Sequence, residues 1–138
     1  AEAETVSIGF WAFGNIGLMV CYDLRFPELA LNLRHRGANI LTAPSAFTFT
    51  TGQMHWQLLL QARAMDSQCQ VLGAAQQGWH GEKRQTWGHS GATNSRGQIL
   101  DIIHNEGTQL ITVPFDLEEQ QQIRESMPLM QHRRLITF

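Results

Sequence analysis

This chain of 138 residues is short of lysine, cysteine and long apolar runs, and each shortage narrows what it can be. Lys83 is its one lysine, and no basic run is longer than a pair. With a net charge of −2, the chain offers no polyanion-binding surface, so neither nucleic acid nor an anionic membrane is an expected partner. Cys21 and Cys69 are too few for a disulfide framework and form no CxxC pair, which points to a reducing, cytoplasmic setting. No apolar run approaches the ~20 residues of a membrane-spanning helix, and no secretory pattern is present. The six histidines show neither HExxH nor paired Cys/His spacing, so no metal and no other cofactor is expected.

What is present suits a packed α/β core. Hydrophobic residues make up 43% of the chain and charged residues 16%, which fits one domain over residues 1–138. The apolar pattern predicts a short strand at 5–9, a turn at Gly14 and Asn15, and a buried strand at 16–22. Pro27 opens a helix that Gly37 closes. A strand at 39–43 ends at Pro44, and residues 45–52 read as a loop. A helix at 53–67 carries Trp56, Leu59, Leu60 and Ala64 on one side. A strand at 69–75 is followed by a polar, exposed loop at 76–87. Strands at 90–93, 98–103 and 109–113, with turns at 94–97 and 105–107, predict a β-meander. Asp116, with Glu119 at the third helical position, caps a last helix that Pro128 ends.

Cys21 stands at the C-terminal end of a predicted apolar strand. Buried strand cysteines are usually inert packing residues. In open α/β sheets, however, that end is where ligands bind, and backbone N–H groups near a helix start favour a thiolate. The Tyr22 N–H would be one donor to a developing oxyanion. Cys69, flanked by two glutamines at a strand start, reads as structural.

The stretch "GLMVCYDLRFPELA" (17–30) resembles the nucleophile motif of the nitrilase superfamily of carbon–nitrogen hydrolases. "GANILTAPSAFT" (37–48), "HWQLLLQARAMDSQ" (55–68), "WGHS" (87–90) and "PLMQHRR" (128–134) extend the likeness along nearly the whole chain. "HGEKRQTWGHS" and "MPLMQHRR" resemble the Nit branch, nearest to deaminated glutathione amidase. The resemblance implies a thiol amidase: Cys21 attacks a small carboxylate-bearing amide, ammonia leaves, and water hydrolyses the thioester. An ω-amidase acting on 2-oxo-acid amides is the enzymatic alternative, and a non-catalytic truncated remnant the other.

In that family a glutamate base and an oxyanion-binding lysine precede the cysteine motif. Before Cys21 this chain has only Glu2 and Glu4, and no lysine. The expectation is therefore the C-terminal half of an α–β–β–α sandwich, weakly active or inactive alone, with apolar faces left open. Its expected partners are a small amide substrate and either a second copy of the chain or a complementing N-terminal half.

Arg25 lies four residues after Cys21. It is read either as a contact to a substrate carboxylate or as an internal partner of Asp23 or Glu28; the resemblance favours the substrate. Phe47, Thr48 and Thr51 follow a strand end and are read as pocket wall or ordinary loop packing. His55 and His89 read as supporting residues. Arg63 and Asp66 read as a brace within one helix, and "QHRR" (131–134) as a packed tail or a contact between copies.

Overall fold

The computed structural model describes residues 8–11, 14–104 and 107–134. Its centre is a six-stranded sheet. β1 (Ile8–Trp11) pairs antiparallel with β2 (Gly14–Leu18). β2 then runs parallel to β3 (Ile40–Thr42), and β3 to β4 (Gln70–Gly73). β7 (Gly91–Thr93) and β8 (Ile99–Ile102) extend β4 antiparallel, giving the order β1-β2-β3-β4-β7-β8. The predicted turn at Gly14 and Asn15 is instead the start of β2, paired to Trp11 and Phe10. The predicted strand at 5–9 falls largely outside the described residues.

Parallel strands need crossovers, and two helices supply them. α1 (Pro27–His35) starts on Pro27, whose missing N–H is no loss in a first turn. α2 (Phe49–Ser67) begins four residues earlier than its helix-forming residues predict. Thr50, Thr51 and Gly52 are poor helix formers. Phe49, however, packs edge-on against Trp87 at 5.0 Å, and that packing overrides local preference.

Both helices lie on one face of the sheet. Leu33, Trp56, Leu60 and Ala64 meet Leu41 and Val71 there, all fully buried. Gly17 lets α1 approach: a Cβ at this position would sit 2.9 Å from Leu41 and 3.1 Å from Leu33. Register puts Leu18, Thr42 and Leu72 on the opposite face. One end of that face is closed by residues 114–123, where α3 (Leu117–Ser126) lies. Gln70 donates to the Pro114 carbonyl, and Gln120 bonds to Asn39 and Ser95. The Asp116 carboxylate caps α3 by accepting the Glu119 N–H at 2.9 Å, as its spacing predicts. A single turn, α4 (Leu129–His132), follows Pro128.

Two expectations fail. Residues 76–87 form a hairpin, β5 (Gln77–His80) and β6 (Arg84–Trp87), with exposed Lys83 in its turn. Residues 109–113 form no strand, and Leu110 stands 91% exposed.

Candidate active site

The end of β2 presents Cys21. Met19 still donates to Thr42, and Cys21 to the Pro44 carbonyl at 2.9 Å, so the chain stays on the sheet up to the cysteine. There it turns sharply into a short 3-10 helix, Cys21–Arg25, not the continued strand that the apolar run to residue 22 predicts. Cys21 takes φ = +47°, a left-handed conformation costing a non-glycine residue about 1–2 kcal/mol. Asp23 holds the turn from both sides. Its N–H donates to the Val20 carbonyl at 3.0 Å, and its carboxylate accepts the Val20 N–H at 2.8 Å. The Tyr22 N–H, in the first turn, has no backbone acceptor among the described residues.

Cys21 is half-buried and opens onto a cleft of about 710 Å³. Val20, Ser45, Ala46, Gln76 and Ser90 are among its walls. Among the described residues, no carboxylate, histidine, lysine or arginine lines it. The Cys21 thiol thus sits in an otherwise neutral, partly apolar hollow at the C-terminal ends of the parallel strands.

The other predicted site residues lie elsewhere. The Arg25 guanidinium sits between the Tyr22 ring (5.3 Å) and the Phe47 ring (5.2 Å), with Nη1 3.3 Å from His55 Nδ1. Among the described residues it pairs with neither Asp23 nor Glu28, and it does not line the cleft. Phe47 is buried core, edge-on to Trp56 at 5.2 Å. Thr48 and Thr51 share a 2.8 Å hydroxyl contact at the start of α2. None of these three lines the cleft either. The structure therefore brings Arg25, Phe47 and His55 together behind the cysteine turn. Cleft residues that the sequence reading passed over include Ser45, Gln76 and Ser90, which share no motif spacing with Cys21.

His89 holds φ = +61°, stacks on Trp87 at 4.0 Å and accepts the Trp56 indole N–H on its carbonyl. Its role there is structural. Arg63, almost fully buried, meets Asp66 at 3.4 Å, the expected brace. Cys69 is fully buried, and its thiol donates to the Ala38 carbonyl. Burial pushes that thiol's pKa up, against the opposing pull of Arg124. Such a cysteine is inert packing. Among the described residues, no three of His, Cys, Asp and Glu converge as metal ligands, and no helix is long and apolar enough to cross a membrane.

The carbon–nitrogen hydrolase profile matches residues 4–125. The chain is 41% identical to deaminated glutathione amidase of Yersinia enterocolitica, across 97% of this chain and 46% of that protein. It superposes on Nit3 of Saccharomyces cerevisiae, a member of branch 10 of the nitrilase superfamily, with a TM-score of 0.87 at 33% identity, covering 98% of this chain and 49% of that one. A variant amidase from Nesterenkonia sp. AN1, carrying the acetamide moiety of fluoroacetamide on its active-site cysteine, matches with a TM-score of 0.66 at 27% identity, covering 72% of this chain and 37% of that one. The chain spans less than half the length of these proteins.

Proposed function

We infer the chemistry of the cleft from one premise, that this chain belongs to the carbon–nitrogen hydrolase family. We propose that Cys21 is the nucleophile of a thiol amidase acting on a small carboxylate-bearing amide of the deaminated-glutathione kind. The observation that carries this is the strained left-handed Cys21 at the end of a parallel strand, open to the cleft. The thiolate attacks the amide carbonyl. The tetrahedral intermediate collapses with C–N cleavage, the departing nitrogen takes up a proton, and ammonia leaves. Water then attacks the thioester and frees the acid and the thiol. The unpaired Tyr22 N–H is the oxyanion donor that this chain supplies.

A second reading rests on a specific observation. Apart from Cys21 itself, no ionisable side chain among the described residues lines the cleft to take or return protons. General acid–base help is typically worth about 10²–10⁴ in rate. By itself the chain is therefore a weak amidase or a non-catalytic remnant.

Reaction with iodoacetamide followed by peptide mapping separates these readings from error. The mass shift is expected on Cys21 and not on buried Cys69. Ammonia release is then measured from deaminated glutathione and from a 2-oxo-acid amide, beside Cys21→Ser. Slow release from deaminated glutathione, abolished in Cys21→Ser, supports the amidase; none from either amide supports the remnant. Release that survives Cys21→Ser, or labelling confined to Cys69, overturns the assignment of Cys21.

A further inference from the structure

A second cavity, of about 400 Å³, lies at the opposite end of the sheet from Cys21, beside the N-terminal ends of the parallel strands. Its walls come from the last turn of α1, the end of α2, and α3 with α4. Two guanidiniums line it, those of Arg34 and Arg124, together with the amides of Gln68, Gln121 and Gln131 and one carboxylate, Glu125.

The bonding around these charges is lopsided. Arg124 is fixed by backbone: Nε and Nη2 donate to the Gln68 carbonyl at 3.2 and 3.1 Å, and Nη2 to the Ala38 carbonyl at 3.0 Å. The Arg34 side chain makes no hydrogen bond or ion pair among the described residues, and its Nε is buried without a partner. Glu125 accepts from Gln121 at 2.9 Å and pairs with neither arginine. Two cations thus share one cavity with no bonded counterion. Burial above all pulls the Arg124 pKa below its ordinary value; Cys69 opposes this, and the like charge of Arg34 adds to it more weakly.

A bland explanation covers part of this. A basic residue in the last turn of α1 answers the helix dipole. An exposed side chain would do that equally well, and a guanidinium N–H left buried and unpaired is unfavourable. We propose that this cavity binds the phosphate group of a phosphorylated small molecule. With Glu125 in the wall the lining keeps a net positive charge, and a phosphate, with three acceptor oxygens and a charge near −2 at neutral pH, can engage both guanidiniums where a single carboxylate brings two oxygens and one charge. The amide of Gln131 supplies a neutral donor beside them, while that of Gln68 already donates to the Met127 carbonyl at 2.7 Å. The volume lies within the range of small-molecule sites and exceeds what a bare phosphate fills.

The test is a titration of the chain with inorganic phosphate at constant ionic strength, followed by nitrogen-15 NMR of the arginine Nε groups. Saturable shifts are expected at Arg34 and Arg124. Arg34→Gln should weaken binding at least about tenfold while the free protein stays folded, since among the described residues the Arg34 side chain makes no hydrogen bond or ion pair. If that variant does not fold, Arg34→Lys, which keeps the charge without the planar fork, should weaken phosphate to a lesser degree. Acetate in the same buffer should bind at least about tenfold more weakly than phosphate, and glycerol 3-phosphate at least as tightly. Non-saturating shifts, binding undiminished in both Arg34 variants, or acetate matching phosphate would overturn the phosphate site. Glycerol 3-phosphate binding more weakly than phosphate would overturn a phosphorylated small molecule as its occupant. None of these readouts depends on Cys21 chemistry.

Discussion

Arg25 illustrates how one side chain ties a strained turn to the core behind it. Its guanidinium lies between two aromatic rings and meets the acceptor nitrogen of His55 on α2. For that contact His55 must offer a lone pair at Nδ1 and so carry its proton at Nε2. Each cation–π contact in a partly buried place is worth about 0.5–2 kcal/mol. Arg25→Ala should therefore lower the melting temperature by about 3–5 °C, the shift that about 1 kcal/mol gives at this size. Arg25→Lys should recover part of this, having charge but no plane to stack. His55→Gln, whose carbonyl oxygen can accept the same N–H, should melt closer to wild type than His55→Ala. Equal melting of all four with wild type, in calorimetry, would show that the clamp carries no stability. At this scale the sequence was readable for the placement of Cys21, at a strand end that the structure opens onto a cleft. It was not readable for Arg25 or Phe47. Position after a strand end placed both at a pocket, but the sharp left-handed turn carries Arg25 to the helix side, and Trp56 draws Phe47 into the core.

Among the elements, the β5–β6 hairpin depends on a glycine inside α2. Gly52 is buried against Trp87, whose N–H donates to the Phe47 carbonyl at 3.0 Å. A Cβ at position 52 would fall 2.2 Å from the Trp87 Cβ, backbone-anchored and unable to swing away. Gly→Ala inside a helix ordinarily gains up to about 1 kcal/mol. Overpacking of this kind costs about 1–3 kcal/mol. The clash should win: Gly52→Ala is expected to lower stability to chemical denaturation and to shift tryptophan emission as Trp87 moves. A variant more stable than wild type would refute the close packing of α2 on β6. The same elements show what periodicity can reach. α1, β3, β4 and the cap of α3 were readable because each has a local signal: a proline start, an apolar run, an aspartate with glutamate three on. The hairpin was missed because its strands, QGWH and RQTW, hold one tryptophan each among polar residues and so lack apolar alternation. Residues 109–113 are rich in strand-forming residues but pair with no strand among the described residues, and a strand exists only when paired.

At the scale of the whole molecule, the question is what covers its outer faces. α2 buries Trp56, Leu60 and Ala64 on one side and turns Met54, Leu58 and Met65 outward on the other, each more than half exposed. On the sheet, the uncovered end of the second face exposes Leu18 and Val20 to a similar degree. The first group is a helical stripe and the second a sheet surface, so they would be covered by different kinds of neighbour. A stripe along one helix can pair with itself across a two-fold axis, giving a dimer of copies. An open sheet face needs another layer over it, as a complementing half would supply. Exposed apolar patches on this scale drive association in water. The chain should therefore sediment above monomer mass across the micromolar range. Leu58→Glu should return it toward monomer if copies pair through α2. Leu18→Lys should do so if the sheet face is the one that associates. Because Leu58 and Leu18 are both mostly solvent-exposed, neither substitution should change the stability of the folded monomer by more than the scatter of surface changes, about 0.5 kcal/mol. Sedimentation velocity on the three proteins decides it, and a wild-type chain that stays monomeric throughout would refute association through either face.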